Sequence, residues 1–235
     1  FISAFLSLIW AVIPAWLIAR YRFPGRKIFL LLLILPLAIP SYIMAFIYSG
    51  FFDVYGTLHL FLLNWFPEIQ YRFSVKNLFG LNWVLSLALF PYVFLIVHTS
   101  FKVHQESLLE AAQILGANSF QQFTKIALPL ARPAIAGGLF LVIMEVLNDY
   151  GAAQYFGVRT LTTGIFRTWF SMGDIQTALK LASNLLLITI FFYTIEKMLQ
   201  SSKKYSTKSI QRQKSEKPAL GTFYATAAFF ACFIP

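Results

Sequence analysis

Residues 110–129 read EAAQILGANSFQQFTKIALP, a polar two-part segment between the apolar runs 80–101 and 133–150. A helix from about Gln105 to Leu115 brings Leu108, Leu109, Ala112 and Leu115 near one face at three- and four-residue spacing, an apolar strip for a partner's groove. Ala111 and Ala112 keep its profile low. Gly116 suits the left-handed backbone that ends a helix, Asn118 or Ser119 suits the cap of the next one, and Pro129 and Pro133 turn the chain back toward the following run. The segment reads helix, turn, helix, return. Composition alone also fits an amphipathic connector lying on a membrane surface.

Outward from this segment the chain is 58% hydrophobic, 18% aromatic and only 12% charged, with a mean hydropathy of +0.68. That is too apolar for a water-soluble domain of this length. A spanning helix needs about 20 mostly apolar residues. The sequence offers runs near 1–19, 28–52, 80–101, 133–150, 177–199 and 220–235, which predicts five spans and the start of a sixth. Backbone polar groups have no water partner in hydrocarbon, and regular ten-residue alternation is missing, so the runs predict helices and not a barrel. The expected fold class is all-α, a polytopic transmembrane helical bundle. Leu58–Phe66 is apolar but short and is expected as an interfacial or re-entrant piece on the outer side. Residues 1–19 are followed by Arg20, Tyr21 and Arg22 and not by a small-residue cleavage site, so a retained span is expected there and not a signal peptide. Phe1 opens inside an apolar run and Pro235 stops inside another, which reads as an internal fragment.

Charge sets the orientation. If the Arg20–Lys27 loop is cytoplasmic, alternation puts 101–132 and 197–219 on the same side, and these segments hold fourteen of the nineteen Lys and Arg residues. The net charge of +10 is then mostly a topology signal, and no nucleic-acid partner is expected. Residues 200–219, rich in Ser, Lys and Gln, read as a flexible basic cytoplasmic linker drawn to anionic membrane lipid. The expected organisation is a first membrane domain over 1–199, this linker over 200–219, and the start of a second membrane half over 220–235.

The pattern Glu110-Ala111-Ala112, three residues, Gly116, nine residues, Ile126-Ala127-Leu128-Pro129 resembles the EAA loop of ABC transporter permeases of the binding-protein-dependent import class. The resemblance implies a MetI-like type I importer fold in a bacterial inner membrane. It also implies that Glu110, Ala111, Ala112, Gly116, Ile126, Leu128 and Pro129 form short cytoplasmic helices seated in a cleft of a separate ATPase. The implied partners are a cytoplasmic ATPase dimer, a periplasmic solute-binding protein, and a second permease half in the same chain or another subunit. ATP and Mg would sit on the ATPase, with no cofactor bound by this chain. The stretches LPLAIPSYIMAFIYSGFFD at 35–53 and MEVLNDYGAAQYFGVRTLTTGIFRTWFSMGD at 144–174 resemble permeases that import ferric iron. Relatives for thiamine, sulfate, molybdate and polyamines share the loop and the bundle.

A hard cation favours oxygen ligands. Glu145 and Asp149 lie four apart and share a helix face, so these and Tyr150 are the candidates for a translocation path, with the phenol of Tyr155 a further oxygen nearby. A carboxylate deep in a bilayer costs about 2.5–3.5 kcal/mol on insertion scales and therefore faces a bundle interior or a wet cavity. The alternative is structural: Glu145 bonded to a neighbouring helix, and Asp149, Gly151 and Gly157 building a polar exit loop. A gradient-driven secondary transporter, with Glu145 and Asp149 relaying protons, and a membrane scaffold also stay open.

Other features point to architecture. Pro36 and Pro40 are expected to kink the second span, and Ala134 and Gly138 to permit close packing against another helix. Trp10, Trp16, Trp65, Trp83 and Trp169 are expected mostly at membrane interfaces, and His98 and His104 at the cytoplasmic end of a span. The sequence has no G-x-x-x-x-G-K-[ST] phosphate loop, no H-E-x-x-H and only one cysteine, Cys232, so neither ATP hydrolysis nor a cysteine metal knot is expected of it.

Overall fold

The computed structural model describes residues 1–54, 56–65, 74–103, 106–201, 229 and 232. Among them every regular element is a helix. The expected basic linker falls almost wholly outside the described residues, as do His104, Gln105 and most of the run 220–235; of that run, Phe229 meets Phe29 edge-on at 4.8 Å.

Helix α1, Ile2–Arg20, carries small residues every fourth position: Ser3, Ser7, Ala11 and Ala15 are all fully buried. Small side chains let two backbones approach closely where water supplies no hydrophobic drive. The two serines also bond across the seam to what becomes the central helix, Ser3 Oγ to Asn82 Oδ1 at 2.6 Å and Ser7 Oγ to the Ser86 carbonyl at 3.1 Å.

The run 28–52 does not form one kinked span. It breaks into α2, Arg26–Leu32, a 3₁₀ turn over Leu35–Ala38, and α3, Ser41–Phe52. The two prolines explain the break: each removes an amide donor, and Pro40 holds Ile39 extended at φ −105°, ψ 119°. Beyond Asp53 comes α4, Thr57–Trp65. Ser41–Trp65 taken together is long and apolar enough to cross a membrane, so the piece expected outside at Leu58–Phe66 largely continues this stretch.

Helix α5, Leu78–Val103, is the hub, with Val84, Phe90, Val93, Phe94 and Val97 fully buried. One apolar core joins it to α1 and to the helix that follows the two-armed loop; a second joins it to α3 and the short outer helices. The loop consists of α6, Glu106–Ile114, then α7, Ser119–Gln121, a π turn over Gln122–Ala127 and α8, Leu128–Leu130. Next come α9, Arg132–Asn148, α10, Gly151–Tyr155, α11, Leu161–Phe166, a π turn over Arg167–Ser171, and α12, Ile175–Ser201. A Cβ added to Gly138 would stand 2.9 Å from Val93 Cα, so the expected close approach is real and is made by α9 on α5.

Among the described residues four stretches are long and apolar enough to cross a membrane: Ile2–Arg20, Ser41–Trp65, Leu78–Lys102 and Ile175–Met198. The helix expected over 133–150 forms as α9, Arg132–Asn148, and the rod Ser119–Leu130 meets its start at 65°; taken as one stretch, this bent pair is a fifth of sufficient length and hydropathy. Of the tryptophans, Trp16 is not an interface anchor. It is 6% exposed and packs edge-on against Phe101 and Tyr21. His98 is likewise buried, stacked on Phe94.

Candidate functional site

The loop is built by local rules and then fastened by tertiary ones. Gly116 sits at φ +84° and closes α6 with paired bonds, Ala117 N–H to the Ala112 carbonyl at 2.9 Å and Gly116 N–H to the Gln113 carbonyl at 3.0 Å. This is the Schellman arrangement, which occupies the last free carbonyls of a helix. Asn118 starts the second arm: its Oδ1 accepts from Gln121 N–H at 2.8 Å while Gln121 Oε1 accepts from Asn118 N–H at 3.1 Å. Such a reciprocal cap contributes about 1 kcal/mol.

The inner side of the loop belongs to the core. Leu109 is 2% exposed, Ala112 is buried, and Phe123, Ile126 and Leu128 pack on the cluster that contains Trp16 and Phe101. The apolar strip expected on α6 is therefore divided. Leu109 and Ala112 face the chain's own bundle, whereas Leu108, Ile114 and Leu115 are exposed, the last two at 86% and 87%, joined by Phe120 at 74%. The division arises because α6 is wedged against α5 and the π turn, which claim the inner half of its apolar surface. Glu110 and Ala111 lie on α6, Ala111 on its exposed side. Pro129 lies in α8, just before the 65° turn into α9. Between the arms runs a shallow groove of about 270 Å³ lined by Leu115, Gly116, Ala117, Gln121, Lys125 and Ile126.

Sequence reasoning missed how the loop is held. Arg20, the last residue of α1, donates from Nη2 to Gln113 Oε1 at 3.2 Å and to Gln122 Oε1 at 3.4 Å. Gln122 is 4% exposed, and its Nε2 donates to the Ala117 carbonyl at 2.8 Å. Nearby, Arg26 Nε donates to the Ile18 carbonyl at 2.7 Å, covering an otherwise free acceptor of the last turn of α1. In the sequence these arginines register only as topology charge. The available signal was a glutamine at 122, four residues before the apolar anchor Ile126.

At the other end of α9, Glu145 is exposed, and Tyr92 Oη reaches its Oε1 at 3.5 Å. Asp149 is engaged within the fold: Oδ1 accepts from Ala152 and Ala153 N–H at 3.0 and 3.1 Å, and Oδ2 accepts from the Ser41 hydroxyl. It caps α10 and ties it to the start of α3, where Gly151 passes so close to Tyr42 that a Cβ would stand 2.9 Å away. The Tyr150 ring lies 4.2 Å from that of Phe166, and Tyr155 is covered by Lys76 Nζ at 5.3 Å, a lysine also paired with Asp53 at 3.8 Å. Glu145 and Asp149 thus occur at one end of α9 in different settings, one exposed beside Tyr92 and one held by hydrogen bonds from Ser41, Ala152 and Ala153. Among the described residues no group of three or more His, Cys, Asp or Glu side chains is placed to hold a metal ion.

Comparison with known proteins fits this geometry. The curated sulfate transport system permease protein CysT of Salmonella typhimurium is 29% identical over 155 residues, covering 66% of this chain and 54% of the relative. The Fe(3+)-transport system permease protein FbpB 2 of Haemophilus influenzae is 30% identical over 176 residues, 75% of this chain and 31% of the relative. The molybdenum transport system permease protein ModB of the same organism is 31% identical over 156 residues, 64% of this chain and 66% of the relative. The chain spans about half the length of the sulfate permeases it matches. A solved bacterial ABC transporter involved in the import of the acidic polysaccharide alginate shares the fold, with a TM-score of 0.61 over 84% of this chain and 77% of that chain at 20% identity. The model for the binding-protein-dependent transport system inner membrane component matches residues 6–205, a range that takes in most of α1, the hub α5, both arms of the loop and the whole of α12, and the chain belongs to that family.

Proposed function

We propose that this chain is the membrane permease of an ATP-driven importer, and that the loop of α6 to α8 is where a cytoplasmic ATPase dimer takes hold. The observation that carries the reading is the division of the loop: one side is locked into the core, while Ile114, Leu115 and Phe120 stand bare on the other. An exposed aromatic flanked by aliphatic residues, held on a rigid support, has the character of an interface anchor. ATP and Mg belong to the ATPase, a periplasmic binding protein delivers the solute, and a second permease half completes the path. The test is co-purification of the intact permease with its ATPase. Replacing both Ile114 and Phe120 with serine should weaken docking by roughly 30-fold, as loss of an interface anchor worth about 2 kcal/mol does. Unchanged docking would exclude the loop as the contact and favour a gradient-driven carrier.

For the cargo, ferric iron is the proposed reading. Glu145 is an exposed carboxylate beside a phenol on a helix of the bundle, an oxygen-donor setting that attracts a hard cation and repels an oxyanion. The Fe(3+) permease also aligns over more of this chain than the sulfate and molybdenum permeases do. The second reading, a sulfate or molybdate importer, is favoured by relatives of similar identity. Uptake of labelled ferric iron by the reconstituted transporter, with sulfate and molybdate as competitors, separates the two. If Glu145 lines the path, Glu145→Gln lowers ferric uptake and its coupled ATP hydrolysis; unchanged rates would remove it from the path.

A further inference from the structure

We infer that Arg20 is a positioning residue for energy coupling: it clamps the elbow of the cytoplasmic loop to the end of α1, so that movement of the loop is delivered to the α1–α5 pair as well as to α9. The inference rests on the docking role proposed for the loop and adds a second route out of it. The covalent route runs from the rod Ser119–Leu130 through the 65° turn into α9. Nothing in the chain's connectivity links the loop to α1, which lies more than eighty residues earlier in sequence.

The clamp is specific in its chemistry. Gln122 is nearly sealed from solvent, and its amide has one satisfied orientation: the nitrogen, which can only donate, faces the Ala117 carbonyl, and the oxygen, which can only accept, faces Arg20. Gln113, on the other arm, offers its oxygen to the same guanidinium nitrogen. One cation thus holds α6 and the π turn on either side of Gly116, and Gln122 in turn braces the backbone just past that glycine. A guanidinium is always charged and presents several donors from a rigid plane, whereas an ammonium is a compact point charge on a flexible four-carbon stem. Arg20 is itself fixed from behind. It ends a helix whose small-residue face is sewn to α5 by Ser3 and Ser7, and whose Trp16 packs on Phe101 of α5 and on Phe123 of the loop. A displacement of the elbow therefore meets α1 through a directional, charge-assisted connection in addition to the apolar contact of Trp16 with Phe123.

The test uses the intact permease with its ATPase in proteoliposomes, comparing ATP hydrolysis with and without the solute-loaded binding protein. Arg20→Ala should leave ATPase co-purification as in the parent while the ratio of stimulated to basal hydrolysis falls about fivefold, within the range seen when a coupling network is cut. Arg20→Lys should recover part of the ratio. Gln113→Ala together with Gln122→Met should reduce the ratio similarly, and adding Arg20→Ala to that pair should change little further, because residues acting through one network are non-additive. An unchanged ratio in Arg20→Ala, or effects that simply add, would overturn the clamp. If the ATPase fails to co-purify even with the parent protein, the docking reading fails instead. A variant whose melting temperature drops without any change in the ratio assigns Arg20 a purely structural role and also overturns the inference.

Discussion

Gly138 and Gly116 are glycines for different reasons, and the difference shows which residue roles can be read without a structure. At Gly116 the reason is local: φ is +84°, a conformation that side-chained residues resist, and a glycine just past an apolar helical stretch announces it. At Gly138 the reason is tertiary, since the missing Cβ makes room for Val93 Cα on another helix. The four-residue spacing of Ala134 and Gly138 hinted at a close approach but could not name the partner. Gly138→Ala should cost about 1–3 kcal/mol, because α9 and α5 must part along a packed seam. Gly164 is the control. A Cβ there meets only Leu181 Cδ1 at 3.8 Å, an ordinary contact, and Gly164→Ala in α11 should be neutral or stabilising by up to about 1 kcal/mol. Thermal unfolding of both variants in detergent checks the contrast; equal losses would mean that the seam is more compliant than its distances imply. Asn118 and Asp149 divide in the same way. The cap by Asn118 follows from its place before a helix, whereas the bond of Asp149 to Ser41 joins positions 108 apart and has no sequence signature.

At the scale of elements, length and hydropathy locate α1, α5 and α12 to within a few residues, because a long apolar run has no other low-energy form in lipid. The same reasoning misjudges 28–52. A pair of prolines four apart removes enough backbone donors to split a run that composition alone would call continuous, and the crossing-length stretch begins at Ser41 instead. Helix α12 carries a testable element-scale property at its start. Asp174 precedes it and caps it, Oδ1 accepting from Thr177 N–H at 3.0 Å. The hydrogen bond from the Thr177 hydroxyl, then that from its backbone N–H, hold the Asp174 carboxyl below the usual carboxylate range. A depressed folded-state pKa means that the cap stabilises fully above the unfolded aspartate value, about 3.9, and that this contribution is lost as pH falls through the lower folded value. Amide exchange in the first turn of α12 should therefore be equally protected at pH 7 and pH 5 and should quicken below about pH 4, on correction for intrinsic exchange. Asp174→Asn should flatten that dependence. Persistence of the acid-sensitive step in the asparagine variant would assign it to another group.

At the scale of the whole molecule, the two ends of the central helix differ in chemistry. Helix α5 has 26 residues, about 39 Å at 1.5 Å per residue, against a hydrocarbon layer of about 30 Å, so its ends project on both sides. Beside its last turns stand Lys102, Arg20 and the two-armed loop; just before its first turn stands Lys76, paired with Asp53. The positive-inside bias assigns the first end to the cytoplasm, and the importer reading requires the same, because ATP is there. This fixes a prediction that depends on no cargo. In a Cys232→Ser background, which removes the sequence's one cysteine, Lys125→Cys should react with a membrane-impermeant maleimide only in inside-out vesicles. Leu78→Cys, at a position 58% exposed at the opposite end of α5, should react only in right-side-out ones. Leu78 begins α5 and Lys125 lies in the loop packed beside its last turns, so the two labels mark opposite ends of one helix and must exchange together or not at all. Labelling of Lys125→Cys from the periplasmic side would put the loop beyond reach of any nucleotide-driven partner, and with it the role assigned to Arg20.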